Sequence, residues 1–176
     1  MSFYRNRRPR PEAEKCADPA KARASALEML AGQELAANML YERLCRRYTG
    51  PAAAAAVAEM VELDYVNDAR YAEARANSLL AARKSRRAAA QSLRQKGLAA
   101  AEVAQALEHV YAPDRDGDDP ELEAAAALVE SRYKGKLAAG RRDLVVAALQ
   151  RRGFAWPVIK EAIRRVEEEE AGEVLF

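Results

Sequence analysis

At 176 residues the chain can form one large domain or several small modules, and with half its residues hydrophobic and 32% charged it suits a protein of long exposed helices. Much of the apolar content is alanine, which implies a thin, distributed core, and no apolar run approaches the roughly 20 residues that cross a bilayer. The basic N-terminus MSFYRNRRPRPEAEK lacks the apolar stretch of a signal peptide, so a cytoplasmic protein without a membrane span is expected.

The net charge of +2 conceals strong segmentation. Residues 67–97 hold eight Lys/Arg against two acids, and residues 98–130 hold nine acids against Arg115 alone. Residues 131–166 return to ten basic against two acidic, and 167–176 carry five glutamates. Blocks of this kind predict a basic face interrupted by acidic loops.

In chain order, residues 1–17 are rich in arginine and proline and are expected to form a disordered basic tail. Asp18-Pro19 then opens a helix near 19–31, followed by helices near 33–48 and, after Gly50-Pro51, 51–63. Asn67 or Asp68 is placed to cap a helix over 68–82, and Ser85 one over 86–96. A helix over 100–111 precedes the acidic loop Pro113–Asp119, and Asp119-Pro120 starts another over 120–134. The last two are expected over 141–152 and, around Trp156-Pro157, over 156–170. Gly97 and Gly153 fall at helix C-termini, where a positive φ costs glycine little. Strand signals are missing.

A repeat emerges when the chain is shifted by 56 residues: Arg86 falls on Arg142, Leu93 on Leu149, Lys96 on Arg152 and Gly97 on Gly153. Leu98, Val103, Ala106, Leu107 and Val110 then meet Phe154, Ile159, Ala162, Ile163 and Val166, at spacings that describe one buried helix face. A weaker copy begins at Leu44. The predicted fold is all-α, with three tandem three-helix repeats over 18–64, 65–112 and 118–170 forming an elongated, curved, right-handed-type helical array. An acidic linker over 113–119 and a C-terminal tail over 171–176 complete this division.

Chemistry is sparse. No phosphate-binding glycine loop, nucleophile elbow or HExxH is present, and His109 is the sole histidine. Cys16 and Cys45 are expected to be reduced bystanders. Asp114-x-Asp116-x-Asp118 begins like a calcium loop, but Asp119 stands where glycine is needed and Ala125 where the bidentate glutamate belongs. A linker whose Asp119 caps the next helix accounts for these residues more simply. No catalytic residue, metal or cofactor is predicted.

The stretch LDYVNDARYAE, residues 63–73, admits two readings. Asp64, Asp68 and Tyr71 have the residue types of a paired-acid site, yet no general base accompanies them. As a joint between the first and second repeats, Asp68 supplies a cap, Tyr65, Val66, Tyr71 and Ala72 pack, and Arg70 bonds nearby carboxylates or carbonyls. The joint is favoured. The remaining candidates are basic: Arg83, Lys84, Arg86, Arg87, Arg94 and Lys96 in the second repeat, and Arg141, Arg142, Arg151 and Arg152, with Arg132, Lys134 and Lys136, in the third. Recurrence of Arg86/Arg142 and Lys96/Arg152 predicts alignment along one side, facing a nucleic-acid backbone or an acidic groove on a protein filament.

Tyr65-Val66-Asn67-Asp68-Ala69-Arg70-Tyr71-Ala72, then Ser85-Arg86-Arg87, then Leu93-Arg94-Gln95-Lys96-Gly97-Leu98 resemble the hallmark of RecX-type regulators of the RecA recombinase. The likeness extends over nearly all of residues 20–170. It departs at Asp64, where the family usually has glycine, in the first repeat's missing Lys-Gly helix end, and at Arg152-Gly153 in place of Lys-Gly. The resemblance implies a non-enzymatic protein that binds RecA and RecA–single-stranded DNA filaments. It would inhibit ATPase, recombinase and co-protease activities and so modulate recombination, DNA repair and the SOS response. Asp68, Arg70 and Tyr71, with Gly97 and Gly153, would be architectural, and the ten basic candidates would contact RecA, single-stranded DNA or double-stranded DNA. A monomer is expected. The competing expectation is a helical architectural or transcription factor that binds DNA directly.

Overall fold

The computed structural model describes residues 11–114 and 117–173, and among these nine α-helices follow one another. They are α1 (Pro19–Gly32), α2 (Ala37–Leu44), α3 (Gly50–Glu62), α4 (Asp68–Ala81), α5 (Arg86–Gln95), α6 (Ala100–Tyr111), α7 (Pro120–Ala138), α8 (Arg142–Arg151) and α9 (Trp156–Glu173). Among the described residues the only strand-like pairing is an isolated bridge between Cys16 and Tyr48. Of the tails and linker expected from sequence, residues 1–10, 115–116 and 174–176 lie outside the described residues.

The caps explain most of the boundaries. Asp18 accepts from the Ala20 and Lys21 amides, Asp119 from Glu121 and Leu122, and Ser85 from Ala88. Each side-chain oxygen satisfies first-turn N–H groups that have no partner inside the helix. Pro19 and Pro120 sit where their missing N–H is not needed.

Four segments differ from expectation, and two of them are longer helices: α7 runs to Ala138 instead of 134, and α9 runs to Glu173, through residues 171–173 of the expected C-terminal tail. Residues 11–17 are ordered, not part of a disordered tail: Glu12–Glu14 form a 3-10 turn, and Glu12 Oε1 accepts from the Gly50 amide at 3.0 Å. Cys16 N donates to Arg47 O and its carbonyl accepts from Thr49 N, both at 3.0 Å. That pairing also explains why α2 stops at Leu44 and does not run on to 48. Its start is late as well, because Gln33 is extended (φ −167°) and interrupts the helix expected from 33.

The chain divides into two compact units, one ending at Tyr71 and one beginning at Ala72. In the first, α1, α2 and α3 enclose Ala22, Ala26, Leu35, Leu40, Leu44, Ala53 and Met60, all essentially inaccessible. Ser25 and Tyr48 share a buried hydroxyl–hydroxyl bond of 2.7 Å. This unit extends past residue 64 because the next residues bond back into it. Asp68 Oδ1 accepts from Ala37 N at 2.7 Å, Arg70 Nε donates to Glu34 at 3.0 Å, and Tyr71 OH approaches Met39 Sδ at 3.5 Å.

LDYVNDARYAE is thereby resolved. Asn67 caps α4, its Oδ1 accepting from Arg70 N at 2.9 Å. Asp68 does not cap its own helix. It caps α2, whose Ala36 offers no acceptor. Asp64 has φ +56°, the left-handed region where glycine is at ease and aspartate is among the better-tolerated alternatives. The position explains the glycine usual in the resembled family. Here Asp64 also accepts from Asn67 Nδ2 and Arg70 NH1, and these bonds hold its carboxyl below the ordinary carboxylate range. Val66 is buried, but Tyr65, expected to pack, is 53% exposed.

In the second unit the apolar positions paired by the 56-residue shift are all buried: Leu93 and Leu149, Leu98 and Phe154, Val103 and Ile159, Ala106 and Ala162, Leu107 and Ile163, Val110 and Val166. Helices α7, α8 and α9 share a core that adds Leu122, Leu128, Val129, Tyr133, Leu137 and Val145. Gly97 and Gly153 have φ of +81° and +89°, ending α5 and α8 in the same way.

Candidate polyanion-binding surface

The second unit presents its basic residues in two electrostatic conditions. Arg86 and Arg142 open α5 and α8, as the repeat predicts, but each is already paired. Arg86 NH2 lies 2.8 Å from Glu108, and Arg142 NH1 lies 2.8 Å from Glu167. Arg141 stands 3.8 Å from Asp143. The side chains of Lys84, Arg87, Arg94, Lys96, Arg132 and Arg151 have no partner among the described residues. An unpaired surface cation projects more field than one whose charge is offset by an adjacent carboxylate.

Arg83, Lys84, Arg132 and Arg152 converge on a cleft of about 360 Å³, whose other lining residues are Ala81, Ala82 and Leu128. Among the described residues, none that lines it is a carboxylate. Arg83 and Arg152 are held by neutral partners. Arg83 NH1 donates to Ala127 O at 3.0 Å and to Ser131 Oγ, while Arg152 lies over the Tyr133 ring, 5.7 Å from its centre, and NH1 reaches Ala148 O at 3.5 Å. Carbonyls, a hydroxyl and a ring face orient these groups without cancelling their charge.

The cleft's geometry depends on how the chain between α4 and α5 is fixed. Arg83 has φ +55°, so the turn is sharp. Tyr111 OH donates to Lys84 O at 3.0 Å, and Glu121 Oε1 accepts from Arg86 N at 3.0 Å. Ser85 is wholly buried. Its Oγ caps α5 through Ala88 N and donates to Arg152 O at 2.9 Å, fastening the end of α8 beside the start of α5. A Cβ on Gly153 would meet that Oγ at 2.8 Å, so the glycine answers both to its φ and to this close approach. Burial, with Glu121 adding to it, pushes the Tyr111 phenol up to about 12.

Glu121 itself carries a pH signature. Burial raises its carboxyl above the ordinary 4.5; the Arg86 N–H opposes the shift and Asp119 adds to it. A carboxyl raised in the folded state favours folding at low pH, and that contribution is lost as pH rises through the folded value. Glu121→Gln keeps an acceptor for Arg86 N–H and removes the charge. It is expected to gain stability relative to the unsubstituted chain as pH rises from about 4 to about 7. Urea titrations at both ends of that range check this, and a pH-independent difference overturns it.

Of the candidates that sequence singles out, Arg83, Lys84 and Arg152 meet in the cleft. Arg86 and Arg142 are drawn into ion pairs, and Arg87, Arg94, Lys96 and Arg151 stand singly. Sequence reasoning misses Glu121 and Tyr111, whose spacing resembles that of any first-turn acid and any helix-end aromatic. His109 is 70% exposed, with Nε2 3.8 Å from Glu73. Among the described residues no group of His, Cys, Asp or Glu is arranged to hold a metal ion, and no helix is long and apolar enough to cross a membrane.

Comparison with known proteins draws these features together. Residues 67–107 match the family model described as RecX, second three-helix domain. The regulatory protein RecX of Trichlorobacter lovleyi is 32% identical over 157 residues, spanning 84% of this chain and 96% of that protein. The crystal structure of RecX from Lactobacillus salivarius superposes with a TM-score of 0.73 at 18% identity, covering 85% of this chain and 96% of that one. A further crystal structure of regulatory protein RecX gives a TM-score of 0.70 at 20% identity, covering 81% and 70%.

Proposed function

The chain belongs to the RecX family of regulatory proteins, and from that premise we propose that it binds RecA and RecA–single-stranded DNA filaments and inhibits their ATPase, recombinase and co-protease activities. It acts as a cytoplasmic monomer without catalysis of its own, modulating recombination, DNA repair and the SOS response. The observation that carries this reading is a likeness spanning 96% of a regulatory relative, in a chain whose second unit gathers unpaired cations.

The contacts are assigned to Arg83, Lys84, Arg87, Arg94, Lys96, Arg151 and Arg152, with Arg132 joining them from α7. Arg86 and Arg142, prominent in the repeat, contribute less because Glu108 and Glu167 offset their charge. Several modest electrostatic contacts on repeated modules reinforce one another when the target is itself repetitive. A nucleotide site is not required, since ATP belongs to RecA.

RecA's DNA-dependent ATPase, measured with the protein added well below RecA in amount, is expected to fall. No inhibition by folded protein overturns the proposal. Tight, sequence-specific duplex binding without any effect on RecA establishes instead a direct DNA-binding factor.

A further inference from the structure

We propose that the cleft formed by the end of α4 with α7 and α8 is a seat for a backbone phosphate of DNA, held by Lys84 and Arg132 between the two anchored guanidinium groups of Arg83 and Arg152. This deepens the filament-regulator reading and rests on it for the occupant.

Three observations carry the assignment. Four cationic side chains line one cleft of about 360 Å³, and none of its lining residues is an acid. Like charges brought together repel, so an arrangement of this kind is most stable when an anion occupies it. Secondly, Arg83 and Arg152 are oriented by Ala127 O, Ser131 Oγ, Ala148 O and the Tyr133 ring, which leave their charge intact. Lys84 and Arg132 have no partner for their side chains among the described residues. Two fixed groups and two adjustable ones give a site that is partly organised before binding.

The third observation concerns hydrogen-bond character. Every polar side chain lining the cleft is a donor, and the remaining side chains are those of Ala81, Ala82 and Leu128. A phosphodiester offers only acceptors, so all its polar atoms find matches. An acidic peptide brings its own amide donors, which these side chains leave unpaired at a cost. The volume falls near the lower end of the roughly 300–1,000 Å³ typical of ligand sites, which leaves room for the adjoining sugar against the alanine and leucine surface.

Fluorescence anisotropy with a labelled single-stranded oligothymidylate tests the seat on the full chain. Lys84→Gln/Arg132→Gln is expected to weaken binding about tenfold. The slope of log K against log salt is expected to fall by about 0.7, the change that accompanies neutralising one phosphate fewer. Arg23→Gln/Arg164→Gln removes the same charge from side chains already paired with Glu59, Glu161 and Glu168, and is expected to change affinity by less than about twofold. Equal losses in the two double variants show a diffuse field and overturn the seat. So does unchanged affinity in the first.

Calorimetry with pyrophosphate separates the sources of phosphate. Binding that disappears in Lys84→Gln/Arg132→Gln shows that the seat also accepts a free anion and supports its chemistry. Polyglutamate binding lost in that variant while the oligothymidylate is unaffected overturns it in favour of a peptide. The single variants Lys84→Gln and Arg132→Gln, checked by circular dichroism, keep the test decisive should the double variant be poorly folded. RecA ATPase assays distinguish the two levels of failure. An unsubstituted chain that leaves RecA unaffected defeats the functional reading, whereas inhibition combined with unaltered DNA affinity in the cleft variant defeats only the seat.

Discussion

Gly153→Ala is expected to lower stability by about 2–3 kcal/mol, combining backbone strain of about 1–2 kcal/mol with loss of a helix cap worth about 1 kcal/mol. Gly153 has φ +89°, where a side chain is strained, and its added Cβ would stand 2.8 Å from Ser85 Oγ. That oxygen has no free space: it is buried, caps α5 and donates to Arg152 O. Relieving the clash therefore sacrifices at least one of these bonds. Thermal denaturation is expected to show a midpoint about 4–12 °C lower. The decisive comparison is with Ser85→Ala, which removes the obstructing oxygen. In that background Gly153→Ala is expected to cost only the backbone strain, about 1–2 kcal/mol. Additive losses would show that Ser85 is not the obstacle.

The second large effect is expected at Asp68. Asp68→Ala leaves the partly buried Ala37 amide without its 2.7 Å partner and is expected to cost about 1–2 kcal/mol. Asp68→Asn retains a carbonyl oxygen for the same bond and is expected to cost less than about 0.5 kcal/mol. Urea unfolding measures both, and hydrogen exchange at Ala37 locates the weakened turn. Equal costs would show that charge, not capping, is what Asp68 supplies. Arg70 makes a useful contrast, because its pairs with Asp64 and Glu34 are exposed and screened by solvent, so breaking them is expected to matter less than losing the cap.

The helical plan is legible in the sequence because its signals are local. Proline after aspartate, serine before a basic run and glycine at a helix end each act through neighbouring backbone groups, and they place most helices within a few residues. The 56-residue shift also identifies a real buried face, since apolar spacing reports directly on packing. What escapes is non-local. Nothing in Ala36-Ala37 announces that its cap lies at Asp68, and nothing in residues 11–17 announces the backbone pairing of Cys16 with Arg47 and Thr49.

The candidate surface divides along the same line. Charge and repetition point to the second unit's cations but cannot say which are neutralised. Register favours Arg86 and Arg142, and Glu108 and Glu167 are found on them. Arg132, on α7, has no counterpart in the 56-residue repeat, yet it completes the cleft with Arg83, Lys84 and Arg152. Distinguishing these cases takes the folded positions of carboxylates far away in sequence.

Asp68 caps a helix through an amide that precedes it by 31 residues, and Glu121 does the same for the Arg86 amide 35 residues earlier. During synthesis, α2 and α5 therefore emerge from the ribosome before the groups that complete them have emerged. Each first turn waits on water until the later stretch emerges and closes it, so maturation proceeds from N- to C-terminus as a succession of latches. A nascent chain halted at residue 64 has an open latch at Ala37; one that has released Tyr71 can close it.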